Sequence, residues 1–218
     1  MKPEIEKIHI LYKNLIRVGK ELDFERFKGE LVARGFVAET RILQTPTGPF
    51  KEYLLREPKN LRDLIVVSSK GFVVDAWNYD SALELVSTAY EIYEFILGDL
   101  IRHILVDILG DYQLVVLINR NSEEVIGESF NNEKVDRLRK TLNREDLRPF
   151  AISFAWGKPV APHEWVIVSL TPIIPPGEIR GSERLQIRIQ YRHVNPDTAV
   201  EFLHNLQKII KNILSGIL

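Results

Sequence analysis

The sequence predicts an α+β protein of two similar halves, each a curved antiparallel β-meander backed by helices in a saddle or helix-grip arrangement. Three observations favour it: apolar residues alternate with a period of two between residues 36 and 77, a capped helix follows, and a similar capped helix recurs near the C-terminus. The 218 residues, 45% of them hydrophobic, supply enough apolar surface for such a core. We expect the halves to span residues 1–110 and 111–218 and to pack as one unit.

The first element is predicted from residues 4–18. Apolar residues from Ile5 to Ile16 follow a helical spacing, with Lys7 and other basic residues between them, which predicts a helix. A strand over residues 9–16 is the competing interpretation, because branched apolar residues are dense there.

The next elements are a short helix and a meander. Asp23 is placed to cap a helix over residues 24–33, and Gly35 is placed to end it. Beyond Gly35 the period changes to two, and turn residues separate the apolar runs. Four antiparallel strands are therefore predicted, over residues 36–44, 50–56, 64–68 and 72–77.

A long helix is predicted to close the first half. Asn78 or Asp80 can cap it, and Gly98 can stop it after Leu97. Apolar residues then recur about every four positions over residues 100–109, which predicts a further helix rather than a strand.

The second half is predicted to repeat this order. Its strands are expected over residues 112–119, 125–130, 150–156, 164–171 and 184–194, and its helices over residues 132–142 and 198–214. The Pro- and Gly-rich residues 172–181 are expected to form an exposed loop rather than a domain linker.

The two capped helices align with each other. Asn78-Tyr-Asp-Ser-Ala-Leu-Glu-Leu-Val matches Asn195-Pro-Asp-Thr-Ala-Val-Glu-Phe-Leu at a constant offset of 117 residues. Many amphipathic helices start with such capping residues, so the match alone has a simple explanation. The shared order of the surrounding elements favours a duplication.

Residues 56–98 contain a set of motifs typical of a known family: Arg56-Glu57-Pro58-Lys59, Leu64-Ile65, Ser68-Ser69, Val73, Ala76, Leu85, Tyr90 and Leu97-Gly98. With them this segment resembles one half of the core of the TATA-box-binding proteins, without gaps from residue 68 to residue 98. It covers about a fifth of the chain. In that family each of two repeats forms a curved antiparallel sheet backed by helices, and the two together form a saddle, so the resemblance implies the same architecture here.

The family's function carries over much less well. Its members bind the minor groove of DNA through apolar wedges and an uncharged concave face. The two wedge aromatics of this half align with Val67 and Asp99, and Asp75 stands where the family has a small uncharged groove contact. These departures argue against DNA binding of that type.

Composition narrows the functional classes further. With 29 Lys and Arg against 30 Asp and Glu, the net charge is -1, so the basic excess typical of nucleic-acid binders is absent. The absence of cysteine excludes disulfides and thiolate metal sites. The most apolar run, residues 92–109, is too often interrupted by charge to span a membrane, and no secretion signal opens the chain, so we expect a cytoplasmic protein without a membrane partner. The scarcity of Met and Cys beside many Ile, Glu and Lys is typical of thermophilic proteins.

Few residues are candidates for a chemical site. On the predicted helix Asp99, His103 and Asp107 would share a face, but a single histidine is a sparse ligand set, and we predict no metal and no cofactor. His9, His163 and His193 could each act as an acid or base, although none has a visible partner in the sequence. The basic run over residues 132–140 is explained by a solvated helix face. Trp77, Trp156 and Trp165 are explained as core residues, or as the lining of a groove.

The sequence therefore favours a non-enzymatic binding protein, with no catalytic residue assigned. We expect the concave sheet face or the groove between the halves to bind a protein partner, including a second copy of the chain, or a small apolar ligand. The alternatives are a nucleic-acid-binding protein of the same fold, which would gather Lys and Arg on one face, and an enzyme, which would bring one of the three histidines to a carboxylate in a pocket.

Overall fold

The computed structural model describes residues 3–130, 132–157, 164–177 and 182–218. Its central feature is a nine-stranded sheet in which all eight neighbouring pairs run antiparallel. The strands are β1 (Glu4–Val18), β2 (Val37–Thr45), β3 (Gly48–Glu57), β4 (Asn60–Ser68), β5 (Gly71–Ala76), β6 (Leu105–Leu117), β7 (Ile152–Gly157), β8 (Trp165–Pro172) and β9 (Arg184–His193). Their order across the sheet is β2-β3-β4-β5-β1-β6-β9-β8-β7.

Six α-helices accompany this sheet in the described part of the chain, which makes the protein α+β. They are α1 (Phe24–Ala33), α2 (Tyr79–Leu97), α3 (Ser122–Ser129), α4 (Glu133–Leu142), α5 (Pro196–His204) and α6 (Leu206–Ile217). None of these described helices combines the length and the apolar composition that crossing a bilayer requires.

The core lies between one face of the sheet and the helices. Along β1 the side chains of Ile10, Tyr12 and Asn14 are fully buried, whereas Leu11 and Lys13 between them stay partly exposed. Because successive strand residues point to opposite faces, this alternation means that the helices cover one face and leave the other open. Aromatic contacts join the two layers at several places, among them Phe27 with Phe72, Phe72 with Tyr90, Tyr112 with Phe202 and Tyr191 with Phe202.

The expectation of a helix over residues 4–18 is wrong, because these residues form β1, the central strand of the sheet. β1 pairs with β5 on one side and with β6 on the other, so its backbone groups find partners along both edges. The apolar residues that fit a helical spacing belong in fact to both faces of a strand that is enclosed by its neighbours. The competing interpretation of a strand over residues 9–16 had the type of element right.

Three further expectations fail for related reasons. Residues 100–109 are not an α-helix: a 3-10 helix spans Gly98–His103, and β6 begins at Leu105, seven residues before the strand expected from Tyr112. The strand expected over residues 125–130 is the helix α3, which the side chain of Asn121 caps. The single final helix is two helices, α5 and α6, which meet at Asn205.

The locally determined elements are confirmed. Asp23 caps α1 through Arg26 N, Asn78 caps α2 through Asp80 N and Ser81 N, and Gly98 ends α2 with a φ of 50°. The four strands of the first meander and the helix after Asn132 occur as expected, within a few residues at their ends. The division into halves at residue 110 stays a prediction.

Candidate functional site

The open face of the sheet carries ion pairs across its central strands. The Asp107 carboxylate accepts hydrogen bonds from both Arg17 on β1 and Arg192 on β9, the latter at 2.8 and 2.9 Å. Asp111 forms a two-bond pair with Arg188, at 2.8 and 2.6 Å. Each of Arg17, Arg188 and Arg192 therefore faces an anion from a neighbouring strand.

His9, one of the three candidate histidines, lies on this open face. Its Nε2 is 2.8 Å from Asp75, and its ring stacks on Trp77 with centroids 4.2 Å apart. Arg62 lies over the same indole at 4.1 Å. The arrangement joins β1 to β4 and to the end of β5, and it gives Asp75 a structural role as the partner of His9.

The other two positions singled out by the family resemblance lie elsewhere. Val67 is fully buried and faces Tyr53 and Phe72 in the neighbouring strands. Asp99 is exposed in the 3-10 helix. Neither position contributes to the open face, so the face lacks the pair of aromatic wedges that the family uses.

A groove of about 480 Å³ runs between α2 and α5. Leu83, Val86 and Val200 supply apolar lining, while four acidic residues, Glu91, Glu94, Asp197 and Glu201, also line it. The hydroxyl of Tyr79 on α2 donates to the carbonyl of His204, 2.8 Å away, and so ties the two helices together.

A larger cavity, of about 660 Å³, lies between α5, the first turn of α6 and the ends of β7, β8 and β9. Its apolar lining residues are Trp156, Trp165, Val166, Tyr191, Phe202 and Ile209. Its polar lining comes from Glu164, His193, Thr198, Glu201 and Asn205. Sites for small organic molecules have this combination of an apolar wall and a few converging polar groups.

The alternation of β9 and the start of α5 build the main wall of this cavity. Tyr191 and His193 are two residues apart on one face of β9, and their rings are parallel within 7°. Asn195 then caps α5, which turns the chain back over the strand. As a result Phe202 stacks on Tyr191, with centroids 4.2 Å apart.

His193 and Glu164 meet at the mouth of the cavity. Trp165 pairs with Arg192 in the antiparallel β8–β9 register. Glu164, which precedes Trp165, therefore lies beside His193, which follows Arg192. The Nε2 of His193 is 3.5 Å from Glu164 Oε1, and its Nδ1 accepts a hydrogen bond of 2.9 Å from the backbone N–H of Asn195. The bond to Nδ1 places the proton of the neutral ring on Nε2, facing the carboxylate.

Tyr191 lines the cavity with a buried hydroxyl. The residue is 4% exposed, and its hydroxyl has no hydrogen-bond partner among the described residues. Burial, followed by the negative charges of Glu164 and Glu201, raises the pKa of Tyr191 to about 12. Both glutamates line the cavity together with Tyr191 and His193.

Alkaline pH is expected to destabilise the fold through its buried tyrosines. Burial raises the pKa of Tyr93 to about 12, against an ordinary value near 10. Above pH 10 this tyrosine ionises in the unfolded chain before it ionises in the folded protein. Its contribution to the free energy of unfolding is therefore constant below pH 10. Above pH 10 that contribution should fall by about 1.4 kcal/mol per pH unit for each such tyrosine, until the folded-state pKa is passed. Chemical denaturation between pH 8 and pH 12 measures this slope.

The Tyr93→Phe variant is the matched control for this prediction. The Tyr93 hydroxyl is buried and has no partner among the described residues, so its removal should cost no stability at neutral pH. The variant should lose stability less steeply above pH 10. An unchanged slope would contradict the assignment of the pH dependence to this group.

The structure brings together only some of the residues that the sequence analysis singled out. His193, Glu164, Trp156 and Trp165 meet in the cavity, whereas Asp99, His103 and Asp107 belong to a 3-10 helix and a strand and share no face. His163 lies outside the described residues. Within the described ranges, no group of three or more His, Asp or Glu is placed to hold a metal ion.

Sequence reasoning missed Tyr191 and Phe202, the stacked pair at the centre of the wall. The period-two pattern of β9 marked Tyr191 as a residue of the covered face, and the amphipathic pattern of the last helices marked Phe202 as apolar lining. No signal in the sequence paired the two.

A scan against protein-family models, a search of curated proteins and a search of solved structures each returned no match for this chain.

Proposed function

We propose that this protein binds a small, largely apolar molecule in the cavity between α5, α6 and the ends of β7–β9. The aromatic-walled cavity of about 660 Å³ carries the proposal. Its size falls within the roughly 300–1,000 Å³ that ligand sites occupy.

The chemistry of the wall supports an apolar ligand. Tyr191 and Phe202 form a continuous stacked surface, and Trp156, which is 53% exposed, extends that surface outward from the edge strand β7. The exposed indole of Trp156 loses apolar area to water contact when a ligand covers it, which favours binding by about 25 cal/mol per Å² buried. The polar groups at one end would fix the orientation of the ligand.

The neutral fluorescent probe N-phenyl-1-naphthylamine tests this proposal. It should bind saturably, with one site per chain, and its emission should rise as it leaves water. Ile209→Trp, which enlarges a lining residue at the start of α6, should weaken binding by at least about tenfold, because it fills space that the probe needs.

The control is Gln207→Trp, which places the same side chain on an exposed position of α6 outside the cavity lining. This variant should bind the probe as the parent protein does. Equal weakening by both substitutions, or no saturable binding to the parent protein, would overturn the proposal.

A second candidate function is acid–base catalysis by the His193–Glu164 pair. The observation that favours it is the position of the pair inside the cavity mouth, with the ring oriented by Asn195 N and its Nε2 directed at the carboxylate. Turnover of a panel of chromogenic esters, lost in His193→Gln and retained in His9→Gln, would support it. No turnover by the parent protein would remove this candidate.

We also infer that the chain is a duplicated saddle related to the TATA-box-binding proteins, although not in DNA binding. In support, β1 and β6 pair at the centre of the sheet, and each starts a series of helix, antiparallel meander and final capped helix. The series differ in detail: the first has one helix before a four-stranded meander and one helix after it, whereas the second has two helices before a three-stranded meander and two after it. An experimental structure in which residues 10–97 fail to superpose on residues 108–217 would contradict the duplication. Binding of a partner protein, or of a second copy, stays a prediction.

A further inference from the structure

A second apolar space lies next to the cavity, along α6. This groove, of about 310 Å³, shares Trp156 and Ile209 with the cavity. Its other lining residues are Phe130, Phe154, Val168, Leu170, Asn212, Ile213, Gly216 and Ile217. The two spaces are therefore neighbours along α6 and the strands β7 and β8, and together they are called the channel here.

The two ends of this channel differ in chemistry. The end at β9 holds the two carboxylates of Glu164 and Glu201, together with His193. Beyond Ile209 the lining is apolar except for Asn212. From Ile209 to Gly216 the channel follows α6 for about 10 Å, at 1.5 Å per residue. This length suits an extended apolar chain better than a compact ring system.

The charge at the polar end decides which head group fits. Arg192 contributes to the lining, but its guanidinium lies on the opposite face of the sheet, where it is bound to Asp107. The two carboxylates are thus not neutralised by this arginine. An ammonium group satisfies them, whereas a carboxylate or phosphate would be repelled.

We propose that the channel binds an amphipathic molecule made of an unbranched apolar chain and a cationic amine head. The chain lies beneath α6, and the amine lies between Glu164 and Glu201. This assignment rests on the proposed binding function of the cavity and specifies the class of ligand.

Isothermal titration calorimetry with simple alkyl probes, each below its micellar concentration, tests the assignment. Dodecylamine should bind at least about tenfold more tightly than hexylamine, because its longer chain reaches the groove beneath α6. It should also bind more tightly than dodecanoate, which has a similar chain and the opposite charge. The double variant Glu164→Gln, Glu201→Gln should remove the preference for the amine.

Gly216→Phe tests the position of the chain. A Cβ added at Gly216 meets no atom within 4 Å, so the new ring can occupy the groove without displacing the protein. The variant should bind dodecylamine no better than hexylamine and should bind hexylamine as before. Ser215→Phe, on an exposed position that does not line the groove, is the matched control and should retain the preference for the long chain.

The outcomes separate this assignment from the proposed function. If N-phenyl-1-naphthylamine binds in the cavity but chain length has no effect, or if dodecanoate binds as well as dodecylamine, the channel assignment is wrong and the cavity function stands. If neither the naphthylamine nor any alkyl probe binds, both are wrong. An equal loss of affinity for dodecylamine in the Gly216→Phe and Ser215→Phe variants would also overturn the channel assignment.

Discussion

Gly71→Ala is expected to lower the free energy of unfolding by about 3 kcal/mol or more, among the largest effects of any single substitution. Gly71 begins β5 with a φ of 131°, a conformation that side chains rarely adopt. A Cβ there would lie 2.0 Å from the backbone oxygen of Asn14 in the adjacent strand β1. Because that oxygen belongs to the centre of the sheet, β1 and β5 would have to separate. Guanidinium denaturation measures the change.

Gly29→Ala is the matched control for this prediction. Gly29 lies exposed in the interior of α1, and a Cβ there meets no atom within 4 Å. Alanine should therefore stabilise the protein, by about 0.5–1 kcal/mol, because it favours the helix. If the two variants change stability alike, the steric explanation at Gly71 is wrong.

The second large effect is expected at Asp107. This residue is 5% exposed, and its carboxylate joins Arg17 on β1 to Arg192 on β9 across β6. Asp107→Ala should lower the free energy of unfolding by about 2–3 kcal/mol. The loss should be somewhat smaller than for breaking a fully buried ion pair, because both arginines can turn toward water on the open face. Chemical denaturation at low and high salt measures the loss, which should persist at high salt.

Asp146→Ala removes a carboxylate of the same kind from an exposed pair. Asp146 binds Arg144 in two hydrogen bonds, but both side chains are mostly exposed. Water and salt screen such a pair, so this substitution should leave stability unchanged within error. An equal loss at both aspartates would mean that burial does not decide the strength of these pairs.

The ion pairs also bear on what the open face does. Asp107 and Asp111 are each held by an arginine from a neighbouring strand, and Asp75 is held by His9, so these carboxylates join the strands of the sheet. The helix-covered face, by contrast, opens into an aromatic cavity at its edge. This contrast is why we propose a binding site among the helices rather than on the open sheet face, which was one of the two places expected from the sequence, the other being the groove between the halves.

Several elements could be predicted from the sequence because their signals are local. The capping side chains of Asp23, Asn78 and Asn132 bond to amides two or three residues away, so the sequence around each residue is sufficient to mark a helix start. Gly71 and Gly98 adopt the positive φ values that their places in a hairpin turn and at a helix end demand. The first meander was recognisable for the same reason, since its turns are short and its strands are consecutive.

Other features depended on contacts between distant residues. Apolar spacing over residues 4–18 fitted a helix, and only pairing with β5 and β6, about 60 and 100 residues away, makes this segment a strand. The candidate site depended on such contacts too. His193 and Glu164 are 29 residues apart, and they meet because β8 and β9 pair in the register of Trp165 with Arg192.

The sequence by itself determined the α+β class, the helix caps, the hairpins and the absence of cysteine chemistry, because short-range bonding and composition decide these properties. The tertiary structure alone decided that residues 4–18 form the central strand and that one sheet face stays open. It also decided that Tyr191, Phe202 and Trp156 enclose a cavity. The physical reason is that strand pairing and side-chain packing join residues far apart in the chain, and the free energy of those contacts outweighs the weak preferences of each local segment.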